Sequence, residues 1–432
     1  MDQSVLSIEK STIRKTMARI LPMILILYVV AYLDRVNLGY AALQMNAELA
    51  LTSEVFGLLS GIFFIGYFFF EIPSNMIMHK VGAKMWIARI MLSWGIIVIL
   101  TGFAQTTTHL NILRFLLGIA EAGFFPGIIL YLTYWFRASE RGRATAVLVL
   151  ALPIGGLIGA PLSTWIMDNI TWLQMSGWRW MFVLEGIPAI LLGIVVIFYL
   201  TNKPSQAKWL TQQEKDWLEA ELVAEQKASA QVNKASTREM LKDSKVWKLS
   251  LLYFGVYTAV YGLSFWMPTI IKSLSANATN NLQIGWLAMI PSVVAVPSLL
   301  FVGWNSDRTN AHKQHLFVCF LISIIGFIGC GYSSTLFWMV LMLTLTSVGL
   351  YGFLGSFFAY KTFFFTASTA PVGIALVNSF AALGGFVGPM ILGSVAFTQG
   401  LFIISGILAI GAITLLTLKL TSNKKQHDTK AA

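Results

Sequence analysis

Six ionisable residues stand deep inside runs that otherwise carry no charge: Asp34, Arg35, Glu71, Arg114, Glu121 and Glu185. At the centre of a membrane helix each would cost about 2.5–3.5 kcal/mol on insertion scales, so they need a reason to be there. All belong to the first half of the chain; beyond residue 246 the apolar runs hold no acid in their cores. On a helix, Arg114 and Glu121 fall within about 20° of one face, separated by roughly 10 Å of rise. Gly118 lies between them, which leaves room for a small anion or for the backbone of another helix. Tyr28, Tyr32 and Arg35 form a second stripe, with Asp34 turned about 100° away beside Asn37. The second half offers phenols and hydroxyls instead: Tyr253, Tyr257, Tyr261 and Ser264 share a face within about 80°. Two readings stay open: a binding site for an anion and protons, or charges that pair internally and only hold helices together.

The elements that must position these groups follow from composition. Of 432 residues, 56% are hydrophobic and only 11% charged, against about 25% charged in an average soluble protein. Collagen-like, disordered and disulfide-framework classes are excluded, and Cys319 and Cys330, roughly 16 Å apart on a helix, are too distant to bond. Twelve runs are long enough to span a bilayer, near 20–43, 54–78, 85–104, 110–136, 144–167, 178–200, 247–271, 282–303, 314–333, 335–360, 370–396 and 400–418. The expected fold is all-α and integral to the membrane, twelve transmembrane helices in two six-helix bundles. Bundles over 1–201 and 246–432 flank a loop at 202–245. Thr211-x-x-Glu214 ahead of Trp217, Leu218 and Leu222 predicts a short amphipathic helix within that loop.

Of the 30 Lys and Arg, all but Arg35, Arg89, Arg114, Arg179 and Lys272 fall in segments on the side of the termini. That bias places both termini in the cytoplasm, in a multi-pass protein of the inner (plasma) membrane. The net charge of +11 is then topology, not a nucleic-acid surface. The halves echo each other in two short basic turns: Asn75 through His79-Lys80-Val-Gly82-Ala-Lys84, and Gly303-x-x-x-Asp307-Arg308. No nucleotide-binding glycine loop, metal-ligand cluster or hydrolase nucleophile occurs, so neither an enzyme nor a cofactor or metal is expected.

Asp34-Arg35-Val-Asn37-Leu-Gly39-Tyr-Ala41 and Glu71-Ile-Pro73-Ser74-Asn75 resemble the anion:cation symporter family of the major facilitator superfamily. So do Arg114-x-x-x-Gly118-x-Ala-Glu121-Ala-Gly123-Phe-Phe-Pro126-Gly127, Tyr261-Gly-Leu-Ser264-Phe-Trp266-x-Pro268 and Gly373-Ile-Ala-x-Val-Asn378-Ser379. The likeness covers nearly the whole chain and is nearest to bacterial tartrate, hydroxyphenylacetate and sugar-acid permeases. It implies a monomeric alternating-access carrier taking up a small organic anion with protons. It assigns substrate contact to Arg35, Tyr67 and Asn378, and proton coupling to Arg114 and Glu121, with Asp34 a second protonatable partner. Arg114, Tyr257 and Tyr261 complete the expected substrate set. His79, Lys80, Gly82, Lys84, Gly303, Asp307 and Arg308 would form the gating loops.

The chain departs from that pattern in three places. Asn75 and His79 replace a Gly-x-x-x-Asp pattern, Ala382 stands where relatives carry a second asparagine, and Lys361 where they carry a proline. Lys361 is expected to snorkel to the cytoplasmic surface, with a cavity-facing anion ligand as the alternative. In the expected cycle, protonation of Glu121 and Asp34 frees Arg114 and Arg35 for the anion. An exchanger or uniporter of the same fold, or a drug/proton antiporter, remains an alternative.

Overall fold

The computed structural model describes residues 3–230, 236–275, 280–366 and 369–419; Lys424, Lys425, His427 and Lys430 of the basic tail lie outside the described residues. Twelve helices are long and apolar enough to cross a membrane, and no strand occurs among the described residues. In chain order, spans 1 to 6 are Leu6–Glu48, Ser53–Val81, Ala83–Thr101, Thr107–Thr133, Ala138–Asn169 and Gly177–Tyr199. Spans 7 to 12 are Ser244–Leu274, Asn281–Thr309, His312–Tyr332, Leu336–Phe364, Val372–Ser394 and Phe397–Thr417. In a membrane a helix satisfies its own backbone, which leaves only the ends to be capped. Thr52, Thr106, Asn280 and Thr335 accept from the N–H three residues on at the starts of spans 2, 4, 8 and 10.

Packing repeats with a period of six spans. Span 1 packs on 5, 2 on 4 and 3 on 6; in the second half 7 packs on 11, 8 on 10 and 9 on 12. Between the halves, span 2 meets 11, span 5 meets 8, and span 1 meets 7. This is the relation expected of two parallel repeats around an axis along the membrane normal. The seam is tightest at the end remote from the N-terminus. A Cβ on Gly39 would stand 2.8 Å from the Phe265 carbonyl oxygen, and one on Gly57 2.9 Å from that of Pro389. Lys272 Nζ donates to the Leu43 carbonyl at 2.8 Å, and Asp168 accepts from Asn281 Nδ2 at 2.6 Å and the Leu282 N–H at 2.8 Å.

Span 4 is broken. Its helix stops at Glu121 and resumes at Phe124, across Gly123 with φ +84°. Only glycine takes that conformation cheaply. The expected opening beside Gly118 is filled by protein: a Cβ there would stand 2.0 Å from the Phe63 carbonyl oxygen. Of the two alternatives, helix contact is the one realised. Span 8 likewise runs through Asp307 and Arg308 to Thr309, so these two residues occupy a last helical turn and not a loop.

The linker contains two helices, Gln212–Ala230 and Thr237–Lys242. Thr211 and Glu214 cap each other as their spacing suggests, the Glu214 N–H donating to Thr211 Oγ1 and the Thr211 N–H to Glu214 Oε2. Leu218 and Leu222 are buried. The longer helix packs on span 1 and is held by ions: Glu214 accepts from Lys15 at 2.8 Å, Glu221 pairs with Arg137 at 3.1 Å, and Glu225 pairs with Arg141. Partial burial pushes the Glu214 carboxyl up, but hydrogen bonds from Lys15, the Thr211 N–H and Ser11 outweigh this. The net result is a fall from the ordinary 4.5 to about 2.

Two outcomes are expected. Gly118→Ala should force spans 2 and 4 apart at a cost of about 1–3 kcal/mol. Thermal unfolding of the detergent-solubilised protein should therefore begin several degrees lower, whereas Gly142→Ala, with no atom within 4 Å of its Cβ, should lower nothing. For the linker, an acid held below its unfolded value stabilises fully above that value and loses the contribution as pH falls toward the folded one. A spin label at Gln226→Cys should stay immobile from pH 7 to 5 and loosen between about 4.5 and 2. With Glu214→Gln, which removes about 1 kcal/mol of charged hydrogen bonding, it should be looser at neutral pH.

Candidate functional site

The buried charges meet on the inner faces of spans 1, 2, 4, 7, 10 and 11. Arg35 donates to Glu121 Oε2 from Nη2 at 2.5 Å and from Nε at 3.2 Å. Its third arm crosses to the other half, Nη1 reaching the Tyr261 hydroxyl at 3.0 Å. The guanidinium lies 5.0 Å from the Phe63 ring centre and 5.4 Å from that of Tyr67. One cation thus ties together spans 1, 4 and 7. Glu121 Oε1 has no hydrogen-bond partner among the described residues.

This pairing differs from the one spacing suggested. Arg114 shares a helix with Glu121, yet Glu121 belongs to Arg35. Arg114 is fully buried and donates from Nη2 to the Arg35 carbonyl oxygen at 3.3 Å, between the rings of Phe63 and Phe265. The roughly 10 Å of rise between positions 114 and 121 explains why a neighbouring helix supplies the nearer arginine. Asp34 is also placed otherwise than expected. Its Oδ2 accepts from Trp94 Nε1 at 2.8 Å inside the first bundle, and it forms no ion pair with an arginine. Protonating Asp34 therefore frees neither Arg35 nor Arg114. Glu185 is held by Asn37 Nδ2 at 3.0 Å and Ser163 Oγ at 2.6 Å, also within the first bundle.

The phenol face of span 7 lines the seam. Tyr253 donates to the Tyr257 hydroxyl at 3.2 Å, and the Tyr257 and Tyr261 ring centres are 5.3 Å apart. Tyr28 packs on Phe124 and Phe125 across the break in span 4. One turn toward the tight end, the Tyr32 hydroxyl lies 3.2 Å from both Ser264 Oγ and the Tyr351 hydroxyl. These three border an enclosed cavity of about 30 Å³ that Ser292 and Ser347 also line.

Lys361 does not snorkel. It is 3% exposed, its Nζ donates to Asn378 Oδ1 at 2.9 Å, and the Phe358 ring centre is 4.3 Å away. The helix of span 10 tightens into a 3₁₀ turn at Lys361–Phe364, and the side chain points inward to span 11. Beside Asn378, Ser379 Oγ donates to Glu71 Oε2 at 3.2 Å, a contact between halves. Tyr257, Asn378 and Ser379 are half-buried, whereas Tyr67 and Glu71 are buried. Tyr351 had no signal in the sequence beyond a polar group in an apolar run, and Ser379 stood only as the last residue of the Gly373–Ser379 motif, without a role.

The residues expected to gate lie at the other end of the helices. His79 and Lys80 are exposed in the last turn of span 2, and Gly82, φ +93°, makes the turn into span 3. There the Lys84 N–H donates to Asn202 Oδ1 at 2.9 Å. Gly303 packs against Gly355; Asp307 is exposed with Oδ1 3.7 Å from His312 Nε2, and Arg308 stacks on Trp304.

Comparison with known proteins accounts for this arrangement. Residues 24–280 and 273–432 match the family model of the Major Facilitator Superfamily. A protein of Agrobacterium vitis named "Putative tartrate transporter" is 42% identical over 420 residues, 96% of each chain. The "Quinolone resistance transporter" of Acinetobacter baumannii is 36% identical, covering 97% of this chain and 98% of that one. The xylose transporter XylE from E. coli superposes with a TM-score of 0.73 at 14% identity, over 93% of this chain and 99% of that one, which is a likeness of fold. Sequence, helix count and shape agree: the chain belongs to the Major Facilitator Superfamily and is a multi-pass membrane transporter.

Proposed function

We propose that the protein imports a small organic anion, a hydroxy-, sugar-acid or aromatic carboxylate, together with protons by alternating access. Its termini would face the cytoplasm and its spans cross the inner (plasma) membrane, as the basic residues suggest. The observation that carries this reading is the buried Arg35–Glu121 pair, whose guanidinium also reaches Tyr261 of the opposite half.

The chemistry follows from the cost of unpaired charge in a low-dielectric interior. With Glu121 ionised, its carboxylate occupies two donors of Arg35. A proton arriving on Glu121 cancels that attraction, and the same donors then suit a substrate carboxylate, planar fork to planar acceptor. Substrate thus replaces the internal acid, and the seam closes over a neutralised pair. Loss of substrate and proton on the far side lets the internal pair re-form. The site favours an anion because Glu121 pairs with Arg35, while Arg114, buried beside them, donates only to a carbonyl oxygen and leaves an excess of positive charge. Asp34, buried without a cation, is the second candidate to carry a proton. Tyr67, Tyr257 and Asn378 are suited to hold hydroxyls or a ring.

A second reading, efflux of a drug-like molecule against protons, draws support from the quinolone-resistance relative. The direction of coupled movement separates the two. In proteoliposomes with an inward proton gradient, import predicts accumulation of a hydroxy acid inside, and antiport predicts depletion of a preloaded quinolone with the hydroxy acid unmoved.

Glu121→Gln should retain substrate counterflow while losing accumulation driven by the pH gradient; full accumulation in this variant would show that Glu121 is not the coupling acid. Arg35→Ala leaves Glu121 buried and unpaired, a loss of about 3–5 kcal/mol. Thermal-shift binding of carboxylates should fall at least a hundredfold, and wild-type affinity would contradict the assignment.

A further inference from the structure

The cation balance around the seam is uneven. Arg35 has Glu121, but Lys361 has no carboxylate within 4.0 Å among the described residues. Its surroundings are the Asn378 amide oxygen and three rings: Phe358 at 4.3 Å, Tyr253 at 5.4 Å and Phe357 at 5.7 Å from Nζ. Aromatic faces attract a cation but do not neutralise it. Glu71 meets Ser379, the residue after Asn378, and forms no ion pair with Lys361 among the described residues. An ammonium held 3% exposed with dipoles and rings alone is a place prepared for an anion.

Lys361 and Arg35 stand at the two ends of one phenol ladder. Lys361 abuts Tyr253, whose hydroxyl meets that of Tyr257, whose ring meets Tyr261, whose hydroxyl meets Arg35. Tyr253 and Tyr261 are separated by about 12 Å of helical rise. A short diacid offers one carboxylate to each cation through charge-assisted hydrogen bonds of about 2.8 Å, and its central hydroxyls would lie along the phenols. Half-burial of Tyr257 and Asn378 gives that stretch contact with water.

We propose that Lys361, oriented by Asn378, is a second anion anchor, and that the preferred substrate is a short hydroxylated dicarboxylate bridging Lys361 and Arg35. The inference rests on the anion-transport reading above and adds the second carboxylate. One end of the substrate binds the first half and the other the second, so a diacid joins the halves in a way that a monoacid does not.

The test compares tartrate with its monoamide, which keeps the length and hydroxyls but removes one charge, by thermal shift and by competition for uptake in the full-length protein. Wild type should bind the diacid at least tenfold more tightly than the monoamide. Lys361→Met should abolish that ratio by weakening the diacid alone, with monoamide affinity changed less than twofold, and Lys361→Arg should restore most of the preference. Equal affinity of wild type for both compounds would overturn the proposal even if Lys361→Met fails to fold, and so would a diacid preference that survives Lys361→Met. If monoacids bind through Arg35 with no diacid preference, the transport reading stands and this one falls. If neither compound nor any monocarboxylate binds or is carried, both fall.

Discussion

An unpaired charge in the middle of a membrane protein is costly, and at the Arg35–Glu121 pair this chain offsets that cost with an opposite charge. The pair sets the rotation of span 1 and the depth of span 4. Gly118, pressed against the Phe63 carbonyl, lets span 2 come close enough to wall the pair in, and the first helix of span 4 ends at Glu121 itself, two residues before the break at Gly123. Because Arg35 also donates to Tyr261, the pair registers one half against the other. In the proposed cycle the internal acid occupies the place of an incoming carboxylate, so that a single proton on Glu121 is felt across the seam.

The two halves repeat in packing but not in chemistry. Acids and arginines cluster in spans 1, 2, 4 and 6, while spans 7, 10 and 11 contribute phenols, hydroxyls, one amide and one lysine. A charged face opposed to a hydrogen-bonding face is the division that the proposed ligand, with a charged head and a hydroxylated body, would match. Lys361 departs from this division and puts a charge on the second wall.

The architecture was largely readable from the sequence because a bilayer permits so few solutions: twelve long apolar runs, and basic residues crowded on one side. The capping box at Thr211 and Glu214 was equally plain, since it depends on residues three apart. The pairing of charges was not. Arg114 and Glu121 share a helical face, and nothing in their spacing tells that Arg35 comes closer, because the distance between spans 1 and 4 is decided by side chains on a third helix. Gly118 read as open space for the same reason. Lys361 misled through its position: one residue past a long apolar helix, a lysine ordinarily turns to water, and only the tightened turn at 361–364 carries it inward. Asp34 stands next to Arg35 in sequence yet serves the opposite side of its helix, against Trp94.

The seam at the remote end carries hydroxyls and backbone carbonyls among its apolar contacts. Tyr32, Ser264 and Tyr351 meet around a cavity of about 30 Å³, enough for a single water, and Lys272 and Asp168 are satisfied by groups across the join. Contacts of this kind trade against hydration at about 0.5–1.5 kcal/mol each. A barrier so constituted behaves as a latch, tight when shut yet releasable one rung at a time as solvent replaces each partner. A weld of leucines would have to expose its whole area at once.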